Sequence, residues 1–121
     1  MPTVLIVDDS PTELHVMQQM LARNGFDTML AEDGDQAIET AVRQSPDVIL
    51  MDVVMPGTNG FQATRQLSRN PKTADIPIIM VTTKDQETDR IWGMRQGASE
   101  YLTKPVGEDD LVQMIRSVMA Q

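Results

Sequence analysis

The chain repeats one pattern of apolar and polar positions five times. Each time, a short apolar run is followed by a polar turn and then by a segment in which apolar residues recur three or four positions apart. The short runs predict β-strands, and the spaced positions predict amphipathic α-helices. The predicted strands are 3–7, 26–31, 48–51, 76–81 and 100–102. Strands that alternate with helices predict an α/β fold, in which a doubly wound parallel sheet is covered by helices on both faces.

Capping and stop signals predict the limits of the helices. Ser10 and Glu13 can form a capping box around Pro11, which suits the first position of a helix. A two-residue stop signal ends each of the first four helices. These signals are Asn24-Gly25, Ser45-Pro46, Asn70-Pro71 and Gln96-Gly97. Because the connecting segments are short and none resembles a linker, the five units predict one domain over residues 1–121.

The third apolar run is the centre of the predicted sheet. Its residues, 48–51, are all apolar, as expected for a strand that is buried on both faces. The run stops at Asp52, and Pro56-Gly57 then signals a turn. Asp52 is therefore predicted at the carboxyl end of a central strand, the edge at which open α/β sheets bind ligands. Taken alone, this stretch also fits an ordinary aspartate that caps a turn.

Composition excludes several classes of site. There is no cysteine, which excludes disulfides, thiolate zinc sites and cysteine nucleophiles. The single histidine, His15, excludes a histidine-rich metal site and a histidine-paired catalytic triad. The formal net charge of −8 argues against a nucleic acid partner. The sequence shows neither a signal peptide nor an apolar run of membrane length, so it predicts a cytoplasmic protein without membrane contact.

Most acidic residues fall where helices are predicted to begin, and negative charge there complements the helix dipole. Asp8, Asp9 and Asp52 do not, because each follows a strand. In a parallel sheet all carboxyl ends lie at one edge, so Thr82 and Lys104 should join these acids. Clustered carboxylates need a cation, and oxygen ligands favour Mg²⁺ acting with a phosphate. An aspartate held beside Mg²⁺ and an ammonium group is a candidate nucleophile towards phosphorus, forming an aspartyl-phosphate.

The motifs at these strand ends resemble the receiver domain of bacterial two-component response regulators, and the resemblance covers the whole chain. The matching segments are Val7-Asp8-Asp9-Ser10, Met51-Asp52-Val53-Val54-Met55-Pro56-Gly57, Thr82-Thr83 and Lys104-Pro105. The resemblance implies a flavodoxin-like fold of five strands, in the order 2-1-3-4-5, and five helices. It also implies a single receiver domain with no output domain, which promotes only its own phosphorylation and dephosphorylation and is otherwise not an enzyme.

The family resemblance also implies a role for each residue of the edge. It implies that Asp52 accepts a phosphoryl group from a histidine kinase, that Thr82 is the switch hydroxyl and that Lys104 is the conserved amine. It implies an aromatic switch at Tyr101, a position that equally fits plain packing with the hydroxyl in water. The implied Mg²⁺ ligands are Asp8, Asp9, Asp52 and the backbone carbonyl of Val54. The implied downstream partner is a protein that binds the face made by the fourth helix, fifth strand and fifth helix.

Two surface segments, 61–67 and 82–89, resemble more closely the single-domain regulators of chemosensory systems that control type IV pili and twitching motility. The open alternatives are a phosphate sink or phosphorelay intermediate for another regulator, and a chemotaxis-type motor regulator. Other classes fit less well. A flavin module needs a phosphate-binding loop where Asp8-Asp9 stand, and a dehalogenase-like phosphatase needs a second aspartate where Ser10 stands. A non-phosphorylated pseudo-receiver would lack one of the key residues.

Overall fold

The five apolar runs form the strands of one parallel sheet in the computed structural model, which describes residues 2–120. The strands are β1 (Thr3–Val7), β2 (Asp27–Ala31), β3 (Val48–Met51), β4 (Ile78–Thr82) and β5 (Glu100–Thr103). The sheet order is β2-β1-β3-β4-β5, as predicted. The central strand β3 pairs with β1 and with β4, which places the end of β3 in the middle of one sheet edge.

Five helices cover both faces of the sheet, which confirms the doubly wound arrangement. They are α1 (Pro11–Arg23), α2 (Gly34–Gln44), α3 (Gly60–Arg69), α4 (Glu87–Gln96) and α5 (Glu108–Met119). On one face, buried side chains of α1 and α5 pack against the sheet; among them are Leu14, Leu21, Leu111 and Ile115. On the other face, α2 and α3 bury Ala37, Ala41, Ala63 and Leu67. None of the helices within residues 2–120 has the length and apolar character needed to cross a membrane.

Five strand and helix limits differ from the sequence prediction. Strands β4 and β5 each end one residue later than predicted, at Thr82 and Thr103. Strand β4 begins at Ile78 instead of residue 76, and the intervening Pro77 has no N–H with which to pair. Strand β2 begins one residue after Phe26, which is buried but lies before the strand. Helix α4 begins at Glu87, later than the capping signal at 83–86 indicated. The Asp89 carboxylate accepts a 3.3 Å hydrogen bond from the Gln86 N–H, which fixes the start of α4 there.

The loop after β3 is attached to the fold at both ends. The Asp52 N–H donates to the Val7 carbonyl at 3.0 Å, and the Gly60 N–H donates to the Val53 carbonyl at 3.0 Å. Helix α3 starts so close to this loop that a Cβ atom at Gly60 would lie 2.1 Å from the Asp52 carbonyl oxygen. Only glycine allows this approach, which holds the backbone of Asp52 between β1 and the first turn of α3.

Candidate functional site

The carboxyl edge of the sheet brings together the residues that the sequence placed there. Asp8 and Asp9 follow β1, Asp52 follows β3, Thr82 ends β4, and Lys104 follows β5. One carboxylate oxygen from each of the three aspartates lies within 4.8 Å of the other two. Asp8, Asp52 and Thr82 are buried, whereas Asp9 is exposed to solvent. The edge therefore combines a buried acidic pair with one acid that solvent can reach.

The Lys104 ammonium group is the cation of this cluster. Its Nζ donates to Asp8 Oδ2 at 2.7 Å and lies 3.7 Å from Asp52 Oδ2. It also lies 3.7 Å from Glu13 Oε2, a neighbour that the sequence interpretation used only as a capping residue. The signal that could have revealed Glu13 is its place in the first turn of α1, since that helix begins at the same edge. The Lys104 side chain is only 13% exposed, so these interactions are little screened by water.

Asp8 is the most firmly held acid. Its Oδ1 accepts a 2.9 Å hydrogen bond from the Ser10 N–H, while its Oδ2 accepts from Lys104. Ser10 in turn caps α1, because its Oγ accepts from the Glu13 N–H at 3.3 Å. The first turn of α1 thus fixes the Asp8 carboxylate, and with it the position of the ammonium group.

Burial shifts the protonation of the two central groups. Burial raises the pKa of Asp52, and the charge of Asp8 adds to this. The charge of Lys104, the Thr82 hydroxyl and a 2.7 Å hydrogen bond from the Val53 N–H to Asp52 Oδ1 lower that pKa without cancelling the rise. For Lys104, burial lowers the pKa, but the hydrogen bond to Asp8 and the charge of Asp52 outweigh it and raise the pKa overall. Lys104 therefore stays protonated beside Asp52 at neutral pH.

The sequence model of the response regulator receiver domain matches residues 4–116 of the chain. The chain belongs to the response regulator receiver domain family. It is 55% identical to the protein PilH of Pseudomonas aeruginosa over 120 residues, which is 99% of both chains. It is also 38% identical to the phosphate regulon transcriptional regulatory protein PhoB of Escherichia coli over 116 residues, but that match covers 51% of PhoB.

Solved receiver domains share the fold of this one. The chemotaxis protein CheY4 of Vibrio cholerae superposes with a TM-score of 0.92 at 30% identity, covering 98% of both chains. The receiver domain of the sensor histidine kinase PA1611 from Pseudomonas aeruginosa superposes with a TM-score of 0.92 at 32% identity, covering 99% of this chain and 98% of that one. The PA1611 structure holds a magnesium ion in its active-site cleft. The acidic cluster of this receiver domain offers carboxylate oxygens, the ligand type that Mg²⁺ prefers.

Two further residues singled out from the sequence lie in the loops that carry Asp52 and Lys104. Val54 lies in the loop between β3 and α3, with its side chain 56% exposed. The peptide bond between Lys104 and Pro105 is cis. Neither residue adds a charged group, so the electrostatics of the edge depend on the aspartates, Glu13 and Lys104.

The Tyr101 hydroxyl is hydrogen-bonded within the protein and does not point into water. The hydroxyl donates a 2.7 Å hydrogen bond to the backbone carbonyl of Lys84, and the side chain is half-buried. Burial, with smaller effects from Asp89, Asp52 and Asp85, raises the pKa of Tyr101 to about 12. The packing alternative raised from the sequence is therefore only partly right, because Tyr101 packs but is also bonded to the loop that follows β4.

The raised pKa of Asp52 predicts that this receiver domain is less stable at neutral pH than it would be with a neutral residue there. A carboxyl group whose pKa is raised by folding favours the folded state while it is protonated, at pH values below its ordinary pKa. This contribution is lost as the pH rises through the raised pKa of the folded state. Asp52→Asn should therefore increase the free energy of unfolding at pH 7 by about 1 kcal/mol. The gain should shrink as the pH falls towards 3.8, the ordinary pKa of the carboxyl group. Urea unfolding followed by circular dichroism at several pH values measures this, and an equal gain at all pH values would contradict it.

Proposed function

We propose that this receiver domain accepts a phosphoryl group from a histidine kinase onto Asp52 and thereby changes its affinity for a protein partner, in a chemosensory system that controls type IV pili and twitching motility. The observation that carries the proposal is the Lys104 ammonium group, held between Asp8 and Asp52 beside the exposed Asp9. The assignment to twitching motility, and to a receiver that acts alone, rests on the similarity to PilH over 99% of both chains.

The donor set of the edge fits a magnesium ion. Three carboxylates face a single lysine, so a divalent cation would neutralise the excess negative charge. Asp8, Asp9 and Asp52, with the backbone carbonyl of Val54, are the residues that would hold it. When bound, Mg²⁺ supplies positive charge that offsets the negative charge of the phosphoryl oxygens.

The phosphoryl transfer itself requires one free oxygen on Asp52. Oδ1 already accepts from the Val53 N–H, whereas Oδ2 faces Lys104. In the proposed step Oδ2 forms a bond to phosphorus as the bond between phosphorus and the donor histidine nitrogen breaks, and the electron pair of that bond stays on the nitrogen. Lys104 pairs with the phosphoryl oxygens, and the Thr82 hydroxyl donates a hydrogen bond to them.

The experiment that tests the proposal has two stages. Intact-mass measurement after incubation with acetyl phosphate and Mg²⁺ should show one added phosphoryl group. Purified histidine kinases of the same organism are then tested as donors, and partners are captured with and without beryllofluoride, which mimics the aspartyl-phosphate. A protein captured only with beryllofluoride supports the proposal. Phosphoryl uptake without any such partner, together with withdrawal of phosphoryl groups from a second regulator through the kinase, would show a phosphate sink instead.

Neutralising Asp9 should raise the stability of the metal-free protein and weaken its binding of Mg²⁺. Asp9 is exposed and belongs to the acidic cluster, so Asp9→Asn removes repulsion without burying an unpaired group. The variant should melt at a higher temperature than wild type without Mg²⁺ and should bind Mg²⁺ at least about tenfold more weakly. Thermal melts across a Mg²⁺ titration measure both effects, because a ligand stabilises the folded state in proportion to its binding. A lower melting temperature than wild type without Mg²⁺ would count against the proposed cluster.

The output surface is proposed on α4, β5 and α5. Ile91 and Trp92 of α4 are 43% and 48% exposed, and apolar side chains at such levels suit a partner surface. Arg95 lies one turn further along the same side of the helix. An aromatic residue beside an arginine is a frequent anchor in protein interfaces.

Trp92 should report the switch directly, because it is the single tryptophan of the chain. When Thr82 turns towards the phosphoryl group, the loop that holds Tyr101 and the start of α4 should move with it. Adding beryllofluoride and Mg²⁺ should therefore change Trp92 fluorescence and the backbone NMR shifts from Thr82 to Lys104. Shift changes that stay within the loops around Asp8 and Asp52 would exclude this switch.

A further inference from the structure

The ring of Tyr101 lies in a notch on helix α4. A Cβ atom added to Gly93 would lie 3.2 Å from Cδ2 and 3.3 Å from Cε2 of the Tyr101 ring. The same atom would lie 2.7 Å from Sδ of Met80, whose side chain is fully buried in β4. These distances are shorter than ordinary carbon–carbon contact. The Met80 sulfur and the edge of the Tyr101 ring therefore border the space that a side chain at this position would fill, and the sulfur is the closer of the two.

Glycine is an unfavourable residue for this position of a helix. Gly93 lies in the seventh of the ten positions of α4, and glycine weakens a helix interior more than any residue except proline. It is also one of the two buried residues of α4, the other being Gln96. Gly93 thus lies on the side of α4 that contacts the rest of the fold, where its lack of a side chain leaves room for a neighbour.

The hydroxyl end of Tyr101 connects the notch to the proposed phosphorylation site. The carbonyl of Lys84 accepts from the Tyr101 hydroxyl at 2.7 Å, and the N–H of Lys84 donates to Thr82 Oγ1 at 3.3 Å. One residue of the β4–α4 loop thus contacts both Thr82 and Tyr101. In the proposed switch, a movement of the Thr82 hydroxyl would release the Lys84 N–H and would leave the bond from Tyr101 as the hydrogen bond that holds the backbone of Lys84.

We propose that Gly93 is a positioning residue of the switch, which leaves the notch in α4 that, together with the Lys84 carbonyl, holds the Tyr101 ring in its inward position. This inference rests on the proposed function for its consequence, since the inward ring is the arrangement that phosphorylation would favour. The placement of the Tyr101 ring in the notch at Gly93 does not depend on phosphorylation. A side chain at position 93 would displace the Met80 sulfur and would require the ring to move outwards by a few tenths of an ångström, which would oppose the switch.

The geometric part can be tested on the wild-type protein alone. Tyr101 is the single tyrosine, so labelled tyrosine gives one set of ring signals in NMR spectra. Nuclear Overhauser contacts between these ring protons and the α-protons of Gly93 are expected in the absence of any phosphoryl donor. If these contacts are missing, the ring does not lie in the notch and the proposal is overturned, whether or not a variant of Gly93 folds.

The consequence is tested with Gly93→Ala. This variant should weaken the contacts between the Tyr101 ring and the cluster of Val53, Met80 and Ala98 against which the ring packs. The half-maximal change of Trp92 fluorescence should need a beryllofluoride concentration about tenfold higher than in wild type. Thr88→Ala is the matched control, because Thr88 is exposed on α4 and alanine strengthens the helix there as well. The control should respond like wild type.

A double variant separates the tyrosine from other causes. In a Tyr101→Ala background the change at Gly93 should have no further effect on the beryllofluoride response, since there is no ring left to displace. An equal loss in both backgrounds would overturn the proposal, because the effect would then come from Met80 or from α4 itself. If wild type gives the ring contacts but never responds to beryllofluoride, the proposed function fails while the placement of the ring stands.

Discussion

Replacing Asp52 with asparagine should reduce phosphoryl uptake from acetyl phosphate to at most about 1% of wild type, because the amide oxygen is a far weaker nucleophile than the carboxylate. Asp52 offers the oxygen that faces Lys104, and its other oxygen is occupied by the Val53 N–H. Intact-mass measurement over a time course with Mg²⁺ gives the rate for both proteins.

The matched control is Asp75→Asn. Asp75 is an exposed carboxylate that precedes β4, so it lies at the opposite edge of the sheet from the cluster. This variant should take up one phosphoryl group at the rate of wild type. If Asp52→Asn is labelled as fast as Asp75→Asn, the acceptor is another residue and the assignment of the site is wrong.

Replacing Lys104 with methionine should destabilise the receiver domain by about 3 kcal/mol at pH 7, because it leaves buried carboxylates without their cation. The Asp8 side chain is 1% exposed and the Asp52 side chain 10% exposed, so water cannot replace the ammonium group. The pKa of Asp52, already raised by burial, would rise further without the opposing charge of Lys104. The deficit should therefore shrink as the pH is lowered below the raised pKa of Asp52, because the carboxyl group then becomes protonated in the folded state and no longer needs a cation.

Urea unfolding at pH 7 and pH 5 measures the two free energies. Lys72→Met is the matched control, since Lys72 is exposed and its side chain can remain in water; it should change the free energy of unfolding by less than about 0.5 kcal/mol. A Lys104→Met protein that is as stable as this control at pH 7 would mean that the carboxylates are neutralised in another way, and the electrostatic account of the edge would fail.

The sheet and its acidic edge could be predicted because the sequence patterns that define each strand are local. Four consecutive apolar residues before Asp52 already define a buried strand, and parallel pairing then places every strand end at one edge. Once the alternation of strands and helices is recognised, Asp8, Thr82 and Lys104 follow from position alone. No side-chain contact has to be known for this step.

The contacts made from helices and loops could not be predicted in the same way. Glu13 reads as a capping residue, and only the packing of α1 beside the β5–α5 loop brings it within 3.7 Å of Lys104. The bond from Tyr101 to Lys84 joins residues that are 17 positions apart, and it depends on how far α4 stands from β5. The start of α4 was also missed, because several polar residues precede it and each is a possible cap.

The close approach of α3 to Asp52 makes the backbone at Asp52 rigid, whereas the β4–α4 loop on the other side of the site stays flexible. The peptide groups of Asp52 and Val53 are bonded on one side to β1 and on the other to the first turn of α3, so their conformational freedom is already lost when the chain folds. The backbone of Lys84, by contrast, lies in an irregular loop and is held by single hydrogen bonds to Thr82 and Tyr101. In the proposed switch, the ordering entropy of activation would therefore fall on the β4–α4 loop and not on Asp52. Amide hydrogen exchange should be slow at Asp52 and Gly60 in every state, and its rate at Lys84 should be the one that depends on the signal.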